Sequence, residues 1–85
     1  GYSSLGYLRR LPVDFLKLDR VLVGEVDTDS QAARIAETIV ALAHSLSLTT
    51  IAEGIERAEQ ADALSTMGCQ YGQGFLFGPA RSIAP

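Results

Sequence analysis

Short apolar runs alternate along this chain with segments of helical spacing, and that alternation limits the fold more than any other feature. Val13-Asp14-Phe15-Leu16-Lys17-Leu18-Asp19 has the period of two that marks a strand. Thr49 to Glu53 is a β-branched run, and Gly54 permits a tight turn after it. Cys69 to Phe77 is a third strand-like segment, with Gly78-Pro79 at its end and no strong signal beyond. Between the first two strands, Gln31 to Ser47 repeats Ile35, Ile39, Leu42 and Leu46 at helical spacing, with Ala32, Ala36 and Ala43 alongside. Between the second and third, Arg57 to Met67 carries Ala61, Leu64 and Met67, with Gly68 placed as its C-terminal cap. An opening helix starts at Ser3 or Ser4, presents Leu5, Leu8 and Leu11, and stops at Pro12. Gly24 to Ser30 reads as a polar loop. Helix and strand in strict alternation require crossover connections, hence a parallel sheet with helices packed outside it. The expected class is α/β, as part of a (β/α)8 barrel or of an open sheet. About three strands with three helices leave such a sheet unfinished, because parallel sheets need both faces covered.

Composition narrows the function classes. The 85 residues carry 7 Lys and Arg against 10 Asp and Glu, a net charge of −3, and the pI is about 4.9. That balance lacks the basic footprint of a nucleic-acid binder. A 47% apolar content is globular. The single cysteine, Cys69, rules out an intrachain disulfide or a Cys-rich zinc site and reads as a small buried hydrophobe. No apolar run approaches the ~20 residues of a membrane helix. The expectation is a soluble, cytoplasmic piece whose parent could be membrane-attached through other domains. Gly1 and the loop-like Tyr2-Ser3-Ser4 add the expectation that the chain is part of a larger domain.

The polar residues are distributed in a way that suggests a site. Period-two arithmetic groups Lys17 with Asp19, Glu53 with Ile51, and Gln73 with Tyr71. Lys17, Asp19, Glu53 and Gln73 thus fall near the C-terminal ends of successive strands, the end where barrels and open α/β sheets place their active sites. Each has a plainer alternative. Lys17 and Asp19 form a surface ion pair, Glu53 or Glu56 caps the following helix, and Gln73 belongs to loop chemistry between two glycines. His44 reads as a structural residue at a helix C-terminus. No phosphate-binding glycine loop and no His/Cys metal spacing occurs. What favours a site is the conjunction of three successive strands ending in polar residues on one face.

The segments Gly1-Tyr2-Ser3-Ser4-Leu5, Tyr7-Leu8-Arg9-Arg10-Leu11-Pro12-Val13-Asp14 and Leu16-Lys17-Leu18-Asp19-Arg20 closely resemble the C-terminal part of the EAL domain. So do Ile51-Ala52-Glu53-Gly54-Ile55-Glu56 and Gly68-Cys69-Gln70-Tyr71-Gly72-Gln73-Gly74-Phe75-Leu76-Phe77-Gly78. The resemblance covers nearly the whole chain and implies a modified (β/α)8 barrel that hydrolyses cyclic di-GMP to linear pGpG. It implies two divalent cations, Mg²⁺ or Mn²⁺, that activate a water and neutralise charge on the phosphate. Under it, Lys17 matches the family's catalytic lysine and Asp19 lies beside the metal and substrate. Glu53 is a general base or metal-shell carboxylate, Gln73 supports the metal-water network, and Glu56 touches substrate. Tyr2 and Ser3-Ser4 end a loop linked in the family to metal binding and to a homodimer.

Some of the family pattern lies elsewhere. The Glu-Ala-Leu signature is absent, since Asp62-Ala63-Leu64 falls mid-helix and is not that motif. The upstream Asn, Glu and Asp-Asp ligands are also absent, so most direct metal ligands are expected outside this chain. Ile55 replaces the usual valine conservatively, and Arg81 is displaced from the common ending. The expected function is therefore the C-terminal fragment of a cyclic di-GMP phosphodiesterase, inactive alone and completed by the missing N-terminal part of the barrel. The alternative is a catalytically degenerate EAL module that acts as a cyclic di-GMP receptor or dimerisation platform.

Overall fold

The alternating Phe-Leu-Lys-Leu run forms strand β1, Phe15–Leu18, with Leu18 buried and Phe15 and Lys17 exposed. A computed structural model describes residues 15–74 and 78–83. The expected opening helix, the strand positions Val13 and Asp14, and Phe75 to Phe77 lie outside the described residues. After β1 come helices α1, Arg20–Glu25, and α2, Ser30–Ser45. Strand β2, Thr49–Ala52, helix α3, Ala58–Thr66, and strands β3, Tyr71–Gly74, and β4, Gly78–Ser82, complete the order.

The four strands lie in the order β1-β2-β3-β4. The first three are parallel, as the alternation requires, and β4 runs antiparallel to β3. One row across the sheet is Leu18, Ala52 and Gly72, and it faces the helices. The neighbouring row is Lys17, Ile51 and Tyr71. It lies on the opposite face, where Phe15 and Tyr71 remain 53% and 38% exposed. The core is one cluster under the helices, built from Leu18, Val23, Val26, Ala36, Val40, Ala52, Ile55, Leu64 and Cys69. Among the described residues, no helix is long and apolar enough to cross a membrane.

The structure departs from the sequence expectations in four places. The chain is helical from Arg20 to Glu25, so the loop expected at Gly24 begins later. The Asp19 carboxylate accepts the Val21 N–H at 2.9 Å and starts this helix. Burial of Val23 and Val26 then holds it against the core.

The buried stripe of α2 is Ala32, Ala36, Val40 and Ala43, whereas Ile35 and Leu42 are exposed. Both stripes have helical spacing, but the small one allows the helix to approach the sheet closely. In α3 the buried residues include Gln60 beside Leu64. The Gln60 Oε1 accepts from the Glu56 and Arg57 N–H groups at 2.8 and 3.0 Å, and its Nε2 donates to the Gly24 carbonyl at 3.2 Å. One amide thus satisfies the start of α3 and ties it to α1.

Finally, Gly78-Pro79 does not end the sheet but begins β4. All five β4 residues are exposed, so no apolar alternation signals the strand. An edge position tolerates the proline's missing N–H.

Candidate active site

Parallel pairing sets the geometry of the upper rim. β1 and β2 align Lys17 with Ile51, and the Glu53 N–H donates to the Leu18 carbonyl at 3.0 Å. That bond carries the ladder one residue past β2. Alternation therefore returns the Glu53 side chain to the face of Lys17 and Ile51. The Lys17 Nζ lies 3.5 Å from the Glu53 Oε1.

Two glycines then shape the floor beside this pair. Gly54 has φ +77°, and a Cβ there would stand 2.5 Å from the Arg20 Cβ. The chain turns back across the sheet, and the Ile55 N–H donates to the Gln73 carbonyl at 2.9 Å. Gly74 has φ +142°, and a Cβ there would lie 2.4 Å from the Ile55 nitrogen. Only glycine fits both the angle and the space. The result is an open cleft of about 530 Å³ lined, among the described residues, by Arg20, Glu53, Gly54, Gln73, Gly74 and Gly78.

The structure thus brings Glu53 and Gln73 into one cleft and sets Lys17 against Glu53. It does not bring Asp19 there. Asp19 leaves the strand, caps α1, and lines a second hollow with Glu25 and Asp29. Glu56 is exposed and outside the cleft lining. Neither Glu53 nor Glu56 caps α3: the N-cap is Arg57, whose N–H is taken by Gln60. Arg57 also makes a two-pronged contact with Asp27. Its guanidinium holds the Asp27 carboxyl below the ordinary value of 3.8.

Cys69 is fully buried, with its Sγ 3.5 Å from the Tyr71 carbonyl oxygen, and burial pushes its thiol pKa up. His44 sits in the last turn of α2, where a cation suits the dipole. Sequence reasoning missed Arg20 as a cleft residue. The available signal was its position directly after a strand-ending cap residue.

A family profile described as EAL domain matches residues 1–80. The chain is 49% identical over 86 residues to the bifunctional diguanylate cyclase/cyclic di-GMP phosphodiesterase MucR of Pseudomonas aeruginosa, covering 98% of this chain and 13% of that protein. It is 44% identical over 84 residues to the cyclic di-GMP phosphodiesterase NbdA of the same organism, covering 99% of this chain and 11% of that one. Among solved structures, the PaMucR phosphodiesterase in complex with c-di-GMP superposes with a TM-score of 0.82 at 46% identity. That match covers 96% of this chain and 33% of that one. The chain therefore spans about a tenth of the length of these curated relatives and a third of that solved structure.

Proposed function

The chain belongs to the EAL domain family, and from that premise we propose that it forms the C-terminal portion of a barrel domain that hydrolyses cyclic di-GMP to pGpG. The observation that carries this reading is the Lys17–Glu53 pair at 3.5 Å, with Glu53 and Gln73 lining one cleft beyond adjacent parallel strands. The exposure of Phe15 and Tyr71 on the face of the sheet away from the helices supports the partial-domain reading. A parallel sheet is stable when both faces are covered, and in a closed barrel the row Lys17, Ile51 and Tyr71 would face the interior.

The reacting bond is a phosphodiester, an anion that repels an anionic nucleophile. Lys17 supplies a compact positive charge to hold the attacking water or to offset charge at the phosphorus. Glu53, held against Lys17, is the carboxylate available to take the water's proton. The Gln73 amide both donates and accepts, which suits it to orienting that water. Asp19 fixes the start of α1, and among the described residues neither it nor Glu56 lines the cleft.

Glu53 and Gln73 offer the hard oxygen donors that Mg²⁺ or Mn²⁺ prefers. They fit a metal shell in kind but not in number: among the described residues no group of three His, Cys, Asp or Glu could hold a cation. A divalent pair, when bound, lowers the pKa of water and neutralises phosphoryl charge, so the remaining ligands must come from the rest of the domain. The isolated chain is accordingly inactive.

The test is hydrolysis of cyclic di-GMP by the isolated 85-residue chain and by the complete domain, with Mg²⁺ and with Mn²⁺. Formation of pGpG by the complete domain alone is expected. Full-domain rates from the isolated chain, or no cleavage by the complete domain, would overturn the proposal.

A further inference from the structure

We propose that Arg20 grips a phosphate of the dinucleotide in this cleft, an inference that rests on the function proposed above. Arg20 lines the cleft together with Glu53 and Gln73. Its side chain is exposed, and it makes no hydrogen bond or ion pair among the described residues. Neither nearby carboxylate forms an ion pair with it among the described residues: the Asp19 side chain accepts the Val21 N–H, and Glu53 faces Lys17. Among the described residues, Arg20 is thus the cation of the cleft lining without an ionic partner, and the Glu53 carboxylate in the same lining is paired with Lys17.

The root of Arg20 is fixed by close packing, since a single added carbon at Gly54 would collide with the Arg20 Cβ. Arg20 also opens α1, and a cation in the first turn opposes the helix dipole. Helix stability therefore does not explain an arginine there. A guanidinium presents a planar fork of donors that matches two non-bridging phosphate oxygens, which an ammonium cannot do. A cleft with a spare fork-shaped cation, a carboxylate and an amide matches a phosphodiester flanked by polar groups better than a neutral ligand.

The decisive experiment uses the complete domain and cyclic di-GMP itself. Arg20→Gln is expected to raise both Kd and KM about tenfold to a hundredfold, the effect of losing a charge-assisted bond. The same variant should keep kcat within about threefold, because the lost interaction is made in ground and transition states alike. Arg20→Lys keeps the charge without the fork and should lose affinity to a smaller degree. Arg34→Gln, on the exposed side of α2, should change neither constant.

Unchanged Kd and KM in Arg20→Gln, beside an active wild type, overturn the role of Arg20 and leave the proposed function standing. A lowered melting temperature with unchanged affinity does the same, because it assigns Arg20 an internal partner. A wild-type domain that neither binds nor cleaves cyclic di-GMP removes both readings. Should the Gln variant fail to fold, the affinity of the folded Lys variant decides: wild-type affinity there overturns the proposal.

Discussion

Lys17 and Glu53 meet at 3.5 Å across two parallel strands, yet their side chains remain 57% and 36% exposed. Two charges in that setting attract weakly, and exposed pairs contribute about 0–1 kcal/mol to stability. The pair is therefore poorly explained as a structural bond and better explained as chemistry positioned at a rim.

From this follows a separation of stability from activity. In the complete domain, Glu53→Gln and Lys17→Met should each shift unfolding by less than about 1 kcal/mol. Each should lower kcat/KM for cyclic di-GMP by roughly a hundredfold or more. Denaturant titration and product chromatography on the same samples check both halves. A variant that keeps near wild-type turnover removes its residue from the reacting set, and near wild-type turnover by both would show that the Lys17–Glu53 pair is not the catalytic pair.

Two glycines give opposite expectations. Gly74→Ala should destabilise by roughly 2 kcal/mol or more, through a disfavoured backbone angle and collision with the Ile55 backbone. Gly24 lies inside α1 with nothing within 4 Å of where its Cβ would be. Gly24→Ala should therefore stabilise by about 0.5–1 kcal/mol. Urea midpoints for the two variants should move in opposite directions, and a neutral Gly74→Ala would refute the crossing described for the cleft floor.

The contact between Asp27 and Arg57 sets a pH dependence. The native Asp27 pKa lies below the unfolded value near 3.8. A carboxylate depressed in this way stabilises the fold fully above its unfolded pKa and loses that contribution as pH falls through the native pKa. The melting-temperature gap between wild type and Asp27→Asn should thus be constant near neutrality and shrink below about pH 4. A gap that persists unchanged into strong acid would show that the contact carries no linkage.

Gln60 is a buried polar residue whose three hydrogen bonds reach Gly24, Glu56 and Arg57. Gln60→Leu keeps the bulk and strands those backbone groups, so a loss of about 2–3 kcal/mol is expected. Retained stability in guanidinium unfolding would mean that water or another group replaces the amide.

Much of the fold was legible because its signals are local. The parallel order of β1, β2 and β3 follows from alternation; a period of two located β1 and a β-branched run located β2. Gly68 marks a helix end through its capping chemistry. Glu53 and Gln73 were legible as neighbours because period two and a shared strand end fix both direction and height.

The remainder depended on non-local facts. The stripe of α2 that meets the sheet is chosen by how closely two surfaces approach, so small alanines prevail over Ile35 and Leu42. Burial of Gln60 depends on a carbonyl 36 residues away. β4 carries no apolar pattern because it is an exposed edge held by its ladder to β3. Asp19 satisfied the strand period but was taken by the helix that follows it.

The backbone crossing at Gly54, Ile55 and Gly74 leaves no volume for even one methyl group. That surface is closed to diversification by point substitution. Any descendant of this sequence that changes ligand preference must do so through the side chains at the margins, Arg20, Glu53 and Gln73 among them, while inheriting the same bare peptide base.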